Sequence, residues 1–303
     1  MGGQILALTG APANALPARS RIVSGAVFLM VLAAALLHAF WNALVKGGAD
    51  KAAAMTAVVI GQGLSGLVLL PFVPFPDLAS LPWLAAGVAL HFGYQAFLIM
   101  AYRIGDLSQV YPIARGSSPL IVAAVSILVL REAFTVPQLA GIALIALGIG
   151  SIALVRRSDG VFQGKAAVLA LITGAFIASY SIVDGLGARV AGTAIGFYAW
   201  HALINAGVFA GVMGVVRPRL LPAALALRRS LFIGGAASFA AYALVMYAFT
   251  QAPIALVTAL RETSIIFALF IGVGLFREPL NLAKVAATMM TLSGAALLRF
   301  YRG

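Results

Sequence analysis

Apolar runs of about 20 residues, the length that crosses a hydrocarbon core about 30 Å thick, recur along the whole chain with short polar or proline-rich breaks between them. The pattern predicts ten membrane helices, at 22–45, 53–73, 82–102, 107–130, 136–155, 164–185, 194–216, 229–250, 254–276 and 281–300. The breaks carry the turn and charge signals of helix ends. They are Lys46 to Lys51, Pro71 to Pro82, Arg103 to Asp106, Arg131-Glu132, Arg156 to Lys165, Arg189, Arg217 to Arg229, Gln251 to Pro253 and Arg277 to Pro279. Residues 1–21 are rich in Ala, Pro and Gly without helical periodicity and read as a disordered tail. Arg19 and Arg21 ahead of an apolar stretch resemble a signal peptide, but that stretch runs on into His38, Trp41 and Asn42 and reads as the first membrane helix.

The polar residues inside these runs repeat. A register of 146 residues sets Arg115 on Arg261 and, without a gap, Met100 on Met246, Ser118 on Ser264, Arg131-Glu132 on Arg277-Glu278, Ala140 on Ala286 and Gly148 on Gly294. A weaker offset of 139 sets Trp41-Asn42 on Tyr180-Ser181. Ten spans then divide into two five-helix repeats, 22–157 and 158–303. An odd number of crossings per repeat turns the second upside down relative to the first. The expected fold is all-α and integral to the membrane, with a substrate site near the midplane where two inverted repeats meet.

Composition agrees, since the chain is 63% hydrophobic and 9% charged, against roughly 25% charged in a soluble domain. The net charge of +12 is scattered between apolar spans and forms no basic stripe, so nucleic acid is not an expected partner. Lys and Arg near helix ends fall twelve on one side and six on the other. By the positive-inside rule both termini are expected outside a cell membrane, with the bacterial inner membrane as the setting. The absence of cysteine excludes disulfides, thiolate metal sites and thiol nucleophiles.

An aromatic-Asn pair in the first helix (Trp41, Asn42), a proline in the fourth (Pro119), a Glu after the fourth and ninth (Glu132, Glu278) and glycines in the fifth and tenth (Gly141, Gly148, Gly294) follow one another in order over residues 22–302. In this the chain resembles the drug/metabolite transporter superfamily, in particular its ten-helix EamA-type members. The resemblance implies transport without a cofactor, with amino acids and related metabolites as exported substrates. It departs from the family in Arg131 and Arg277, which stand where many relatives have glycine, and in Arg115 and Arg261.

A charge in hydrocarbon is costly, so each intramembrane arginine marks a candidate site. Arg115 is about 12 Å along its helix, near the middle of the core. Tyr111, Arg115 and Ser118 share one helical face. Pro119 withdraws the donor that the Arg115 carbonyl would otherwise bind, a break that the ninth helix, with Ile265 there, is not expected to repeat. Gly116 against Glu262 breaks the symmetry further. Glu262 is expected to neutralise one arginine, with Arg115 as the candidate partner, leaving one guanidinium to bind a carboxylate through paired hydrogen bonds. The competing expectation is a closed ion-pair network that only holds helices together. Arg115, Arg261, Glu262, Trp41, Asn42, His91, Tyr94, Tyr111, Ser118, Tyr180 and Tyr242 are the candidate substrate-binding residues. His38, His91, His201 and Glu262 are the candidates for proton coupling, since imidazole titrates near neutral pH.

An intramembrane enzyme would need a nucleophile or metal set. HExxH and GxSxG are absent, and the three histidines lie on separate helices without carboxylate neighbours that would mark a metal site, so no metal site is expected. Gly160 to Lys165 misses the phosphate-loop spacing by one residue, which leaves gradient-driven or passive transport. Export of cationic drugs and flipping of a lipid carrier remain the other transport readings. Gly207, Gly211 and Gly214 would allow close helix approach within one chain or between two.

Overall fold

The structure, a computed structural model, describes residues 23–48, 50–104, 107–155, 164–275, 277 and 282–300. The tail expected at 1–21, Glu278 and the Gly160 to Gln163 part of the loop before Lys165 lie outside them. The described residues form helices and turns with no strand. In chain order the helices are α1 (Gly25–Lys46), α2 (Lys51–Leu69), α3 (Leu81–Ile104), α4 (Leu107–Leu128), α5 (Val136–Val155), α6 (Gly164–Val190), α7 (Ala194–Val216), α8 (Leu220–Ala226), α9 (Gly235–Gln251), α10 (Ile254–Arg261), α11 (Ser264–Gly274) and α12 (Leu282–Phe300). Among the described residues, six stretches are long and apolar enough to cross a membrane: Gly25–Lys46, Lys51–Phe72, Gly164–Val190, Ala194–Val216, Arg229–Gln251 and Ile254–Gly274.

Helix starts are set by short polar side chains that satisfy otherwise unpaired amides. Ser24 accepts from the Val27 amide, Asp50 from Ala53 at 2.9 Å and Thr193 from Gly196 at 3.0 Å. Between α6 and α7 the chain turns through Gly192 at φ +68, a left-handed conformation that costs glycine little. The segment read as a plain loop between Arg217 and Arg229 instead holds α8 and is followed by a π-helical turn at Arg229–Gly234 that leads into α9.

The largest departure lies in the arginine-bearing helices. Despite Pro112 and Pro119, α4 runs unbroken; the ninth apolar run, expected to be the regular one, is divided between α10 and α11. There the amides of Glu262, Thr263, Ile265 and Ile266 each bond to the carbonyl three residues back, to Ala259, Leu260, Glu262 and Thr263. The helix tightens into 3₁₀ geometry beside Arg261. No proline marks the place. Sequence reasoning located the break on the wrong repeat because it followed the residue type and not the buried charges beside it.

The helices pack as interchangeable pairs: α3 on α6 and α1 on α9, α4 on α6 and α11 on α1, with α2 on α7 and α5 on α12. Glycines permit the closest approaches. A Cβ on Gly141 would stand 2.9 Å from the Gly294 carbonyl, and one on Gly148 would stand 2.9 Å from the Ala287 carbonyl. The 146-residue register exchanges these two contacts. At the α2–α9 crossing, a Cβ on Gly61 would run into the Leu231 carbonyl and stand 2.9 Å from Gly235 Cα. By contrast, Gly207 and Gly211 meet no described atom within 4 Å, so they serve no packing among the described residues.

Among the described residues, Arg131 and Arg277 are the non-glycine residues with positive φ, at 58 and 52. This left-handed geometry costs a side-chain-bearing residue roughly 1–2 kcal/mol. Arg131→Gly is therefore expected to raise stability by about 0.5–1 kcal/mol, after glycine's greater unfolded-state freedom is deducted. The check is thermal unfolding of purified protein in detergent, and a lower midpoint would refute it. Glu132, next in the chain, turns to Arg189 at 3.7 Å. Arg189 in turn donates from Nε to the Phe249 carbonyl at 2.9 Å and from Nη2 to the Ala252 carbonyl at 3.1 Å. Burial holds the Glu132 carboxyl above its ordinary range, against the opposing pull of Arg189.

Candidate functional site

A cavity of about 100 Å³ opens between α1, α2, α3, α4, α6, α7, α9 and α10. Of the residues expected there, Trp41, His91, Tyr94, Arg115, Tyr180, Tyr242 and Arg261 line it, as do His38 and His201. Asn42 does not, because its side-chain amide donates to the His38 carbonyl at 2.7 Å one turn back. Ser118 is buried behind the wall. The Tyr111 side chain lies outside the described residues. Tyr198, Gln62, Gln95, Asn205 and Ser238 complete the polar lining, with Gln62 Nε2 donating to Ser238 Oγ at 2.6 Å across α2 and α9. Tyr198 and Gln62 carried no sequence signal, since an isolated Tyr or Gln on an apolar helix is ordinary until neighbouring helices place it.

The two arginines meet one carboxylate. Arg115 Nε donates to Glu262 Oε2 at 2.8 Å, from α4 to the tightened turn after α10. Arg261 Nε is 3.9 Å from the other oxygen, Oε1, beyond hydrogen-bond length. Adjacent positions diverge by about 100° on a helix, which keeps Arg261 and Glu262 apart. Arg261 is 3% exposed. Its Nε and Nη2 have no hydrogen-bond partner among the described residues, and its Cζ is 5.9 Å from the Tyr242 ring centroid, within cation–π range.

A second cluster surrounds Asp184, a fully buried carboxylate on α6 that is not among the candidate site residues read from the sequence. Its Oδ2 lies 2.9 Å from His91 Nε2 and accepts from the Tyr242 hydroxyl at 2.7 Å. His201 Nε2 is 3.8 Å from Oδ1. The expectation that the histidines lack carboxylate company is thus corrected. His91 and Asp184 are 93 residues apart in the chain, so no spacing rule along one helix could join them. Tyr180 stacks on His91 at 4.0 Å between centroids, and His91 meets His201 at 4.6 Å edge to face. His38 stands apart from this cluster, edge to face with Trp41 at 5.1 Å.

The charges are layered. The guanidiniums of Arg115 and Arg261 reach the wall, whereas both carboxylates, Glu262 and Asp184, sit behind it. The cavity therefore offers an anion cationic donors, within a wall that also includes the aromatic side chains of Trp41, Tyr94, Tyr180, Tyr198 and Tyr242.

An all-helical chain with several apolar spans around a polar, buried cavity defines a multi-pass membrane protein of the transporter class. The profile of the EamA-like transporter family matches residues 25–154 and again 164–300, and the chain belongs to that family. No curated protein matches the sequence. A solved structure described only as "Crystal structure of protein" is similar in fold, with TM-score 0.73 at 19% identity, over 90% of this chain and 97% of that one.

Proposed function

We propose that this protein is a secondary transporter that exports amino acids or similar small zwitterions through the cavity by alternating access. In this reading ten membrane helices form two inverted repeats with both termini outside the cell's inner membrane. The exchanged contacts Gly141 to Gly294 and Gly148 to Ala287, and the paired packing of α3 on α6 with α1 on α9, support the two-fold relation. The observation that carries the substrate class is Arg261: a buried guanidinium on the cavity wall with unpaired donors, while the nearby carboxylate is engaged by Arg115. A carboxylate bound there gains charge-assisted hydrogen bonds. Gln95 Oε1 and Asn205 Oδ1, buried acceptors without partners among the described residues, would receive the ammonium end together with the aromatic faces. His38, His91, His201 and Glu262 are the groups proposed to couple protons, His91 and His201 doing so only while no metal ion occupies them.

Counterflow of labelled amino acids in proteoliposomes tests this reading. Uptake of one amino-acid class and not of cationic dyes is the expected result; dye uptake alone, or movement of a lipid carrier alone, would replace it. Arg261→Lys should fold normally and lose transport by about tenfold or more, since lysine cannot form the paired fork with a carboxylate. Unchanged flux would refute the assigned role.

A further inference from the structure

His91, Asp184 and His201 bring one ligand atom each to within 4.8 Å of one another, from α3, α6 and α7. Within the triad two contacts have different lengths. His91 Nε2 to Asp184 Oδ2 is 2.9 Å, a hydrogen bond; His201 Nε2 to Asp184 Oδ1 is 3.8 Å, too long for one. Both atoms of the longer contact are buried without a hydrogen-bond partner among the described residues, and so is His201 Nδ1. The His201 ring also interacts with the Gly87 backbone. Leaving a buried donor or acceptor unsatisfied costs about 1–3 kcal/mol, so two such atoms that face each other call for a shared partner.

A cation between them is such a partner. Metal–ligand bonds of about 2.0–2.1 Å in a tetrahedral shell separate neighbouring ligand atoms by about 3.4 Å, and the 3.8 Å from His201 Nε2 to Asp184 Oδ1 lies close to that value. The space is kept open by a glycine: a Cβ on Gly87 would collide with Asp184 Oδ1 and stand 3.2 Å from His201 Nε2. The carboxylate is oriented from behind by the Tyr242 hydroxyl on Oδ2, as outer-shell hydrogen bonds orient metal ligands. His91 and His201 both line the cavity, which provides an entry path and an open coordination position.

We propose that His91, Asp184 and His201 form a binding site for a divalent first-row transition cation of the zinc type, with its open position facing the cavity. Two imidazoles with one carboxylate select such ions over Mg²⁺ and Ca²⁺, which take oxygen ligands. The site does not depend on which solute is exported. Binding is read without transport, so its failure and that of the exporter reading are separable.

The test is titration of the full-length, detergent-purified protein, freed of metal and of any histidine tag, with Co²⁺. The chain has no cysteine and three histidines, so a thiolate contribution is absent. The expected result is one Co²⁺ per chain with visible d–d absorption, displaced by Zn²⁺ and not by millimolar Mg²⁺. Asp184→Asn and His201→Asn should each weaken binding at least about 100-fold, and Tyr242→Phe about tenfold. His91→Asn provides an independent ligand variant should either of the first two fail to elute as monodisperse protein. Absence of Co²⁺ binding by the wild type, or binding that the ligand variants leave unchanged, would overturn the proposal.

Discussion

Replacing Glu262 by glutamine is expected to destabilise the protein by about 3–5 kcal/mol, the cost of removing one member of a buried ion pair. Glu262 is 1% exposed, and Arg115 and Arg261 are 6% and 3% exposed. The carboxylate lies within 4 Å of both. E262Q leaves the two arginines with no carboxylate between them. A lowered thermal midpoint in detergent is the direct readout. Arg115→Gln should cost less in the E262Q background than in the wild type, because the charge that Arg115 compensates is then gone, and that difference is the coupling between the pair. A midpoint for E262Q equal to that of the wild type would show that Glu262 carries no compensating charge.

A comparably large loss is expected at the α2–α9 crossing. Gly61 faces the Leu231 carbonyl and Gly235 Cα, both backbone atoms that no rotamer change can move aside. Gly61→Val should therefore force the two helices apart and cost about 3 kcal/mol or more, at or beyond the upper end of overpacking penalties. The readout is the yield of monodisperse protein and its thermal midpoint. Gly207→Val, where nothing stands within 4 Å, is the comparison, with a change within about 0.5 kcal/mol. Equal behaviour of the two variants would mean that the α2–α9 contact tolerates separation.

Most of the helical architecture was legible because a membrane leaves few alternatives: every backbone polar group must be paired inside the segment, and apolar runs of one length follow. The arginines were legible for the same reason, since Arg115 and Arg261 interrupt runs where charge is expensive. Asp184 gave the same signal, an acid inside the apolar α6, and was passed over because its partners come from α3, α7 and α9. Convergence of four helices is a property of packing, which no single helical face displays. Pro119 misled in the opposite sense. A proline removes one donor, yet α4 absorbs it, whereas α10 and α11 part at residues with ordinary helical propensity. Glu132 follows the left-handed turn at Arg131 and reaches Arg189 on α6, an ion pair whose partner lies too far along the chain for local spacing to name.

The tightened turn after Arg261 has a mechanical consequence. A three-residue hydrogen-bond spacing rises about 2.0 Å and turns about 120° per residue, against about 1.5 Å and 100° for the α-helix. Four amides in this turn use the shorter spacing. Relaxing all four would shorten the span by about 2 Å and rotate α10 by about 80° relative to α11. Arg261 is the last residue of α10, so such a screw motion would swing its guanidinium away from Tyr242 while α11 stays seated.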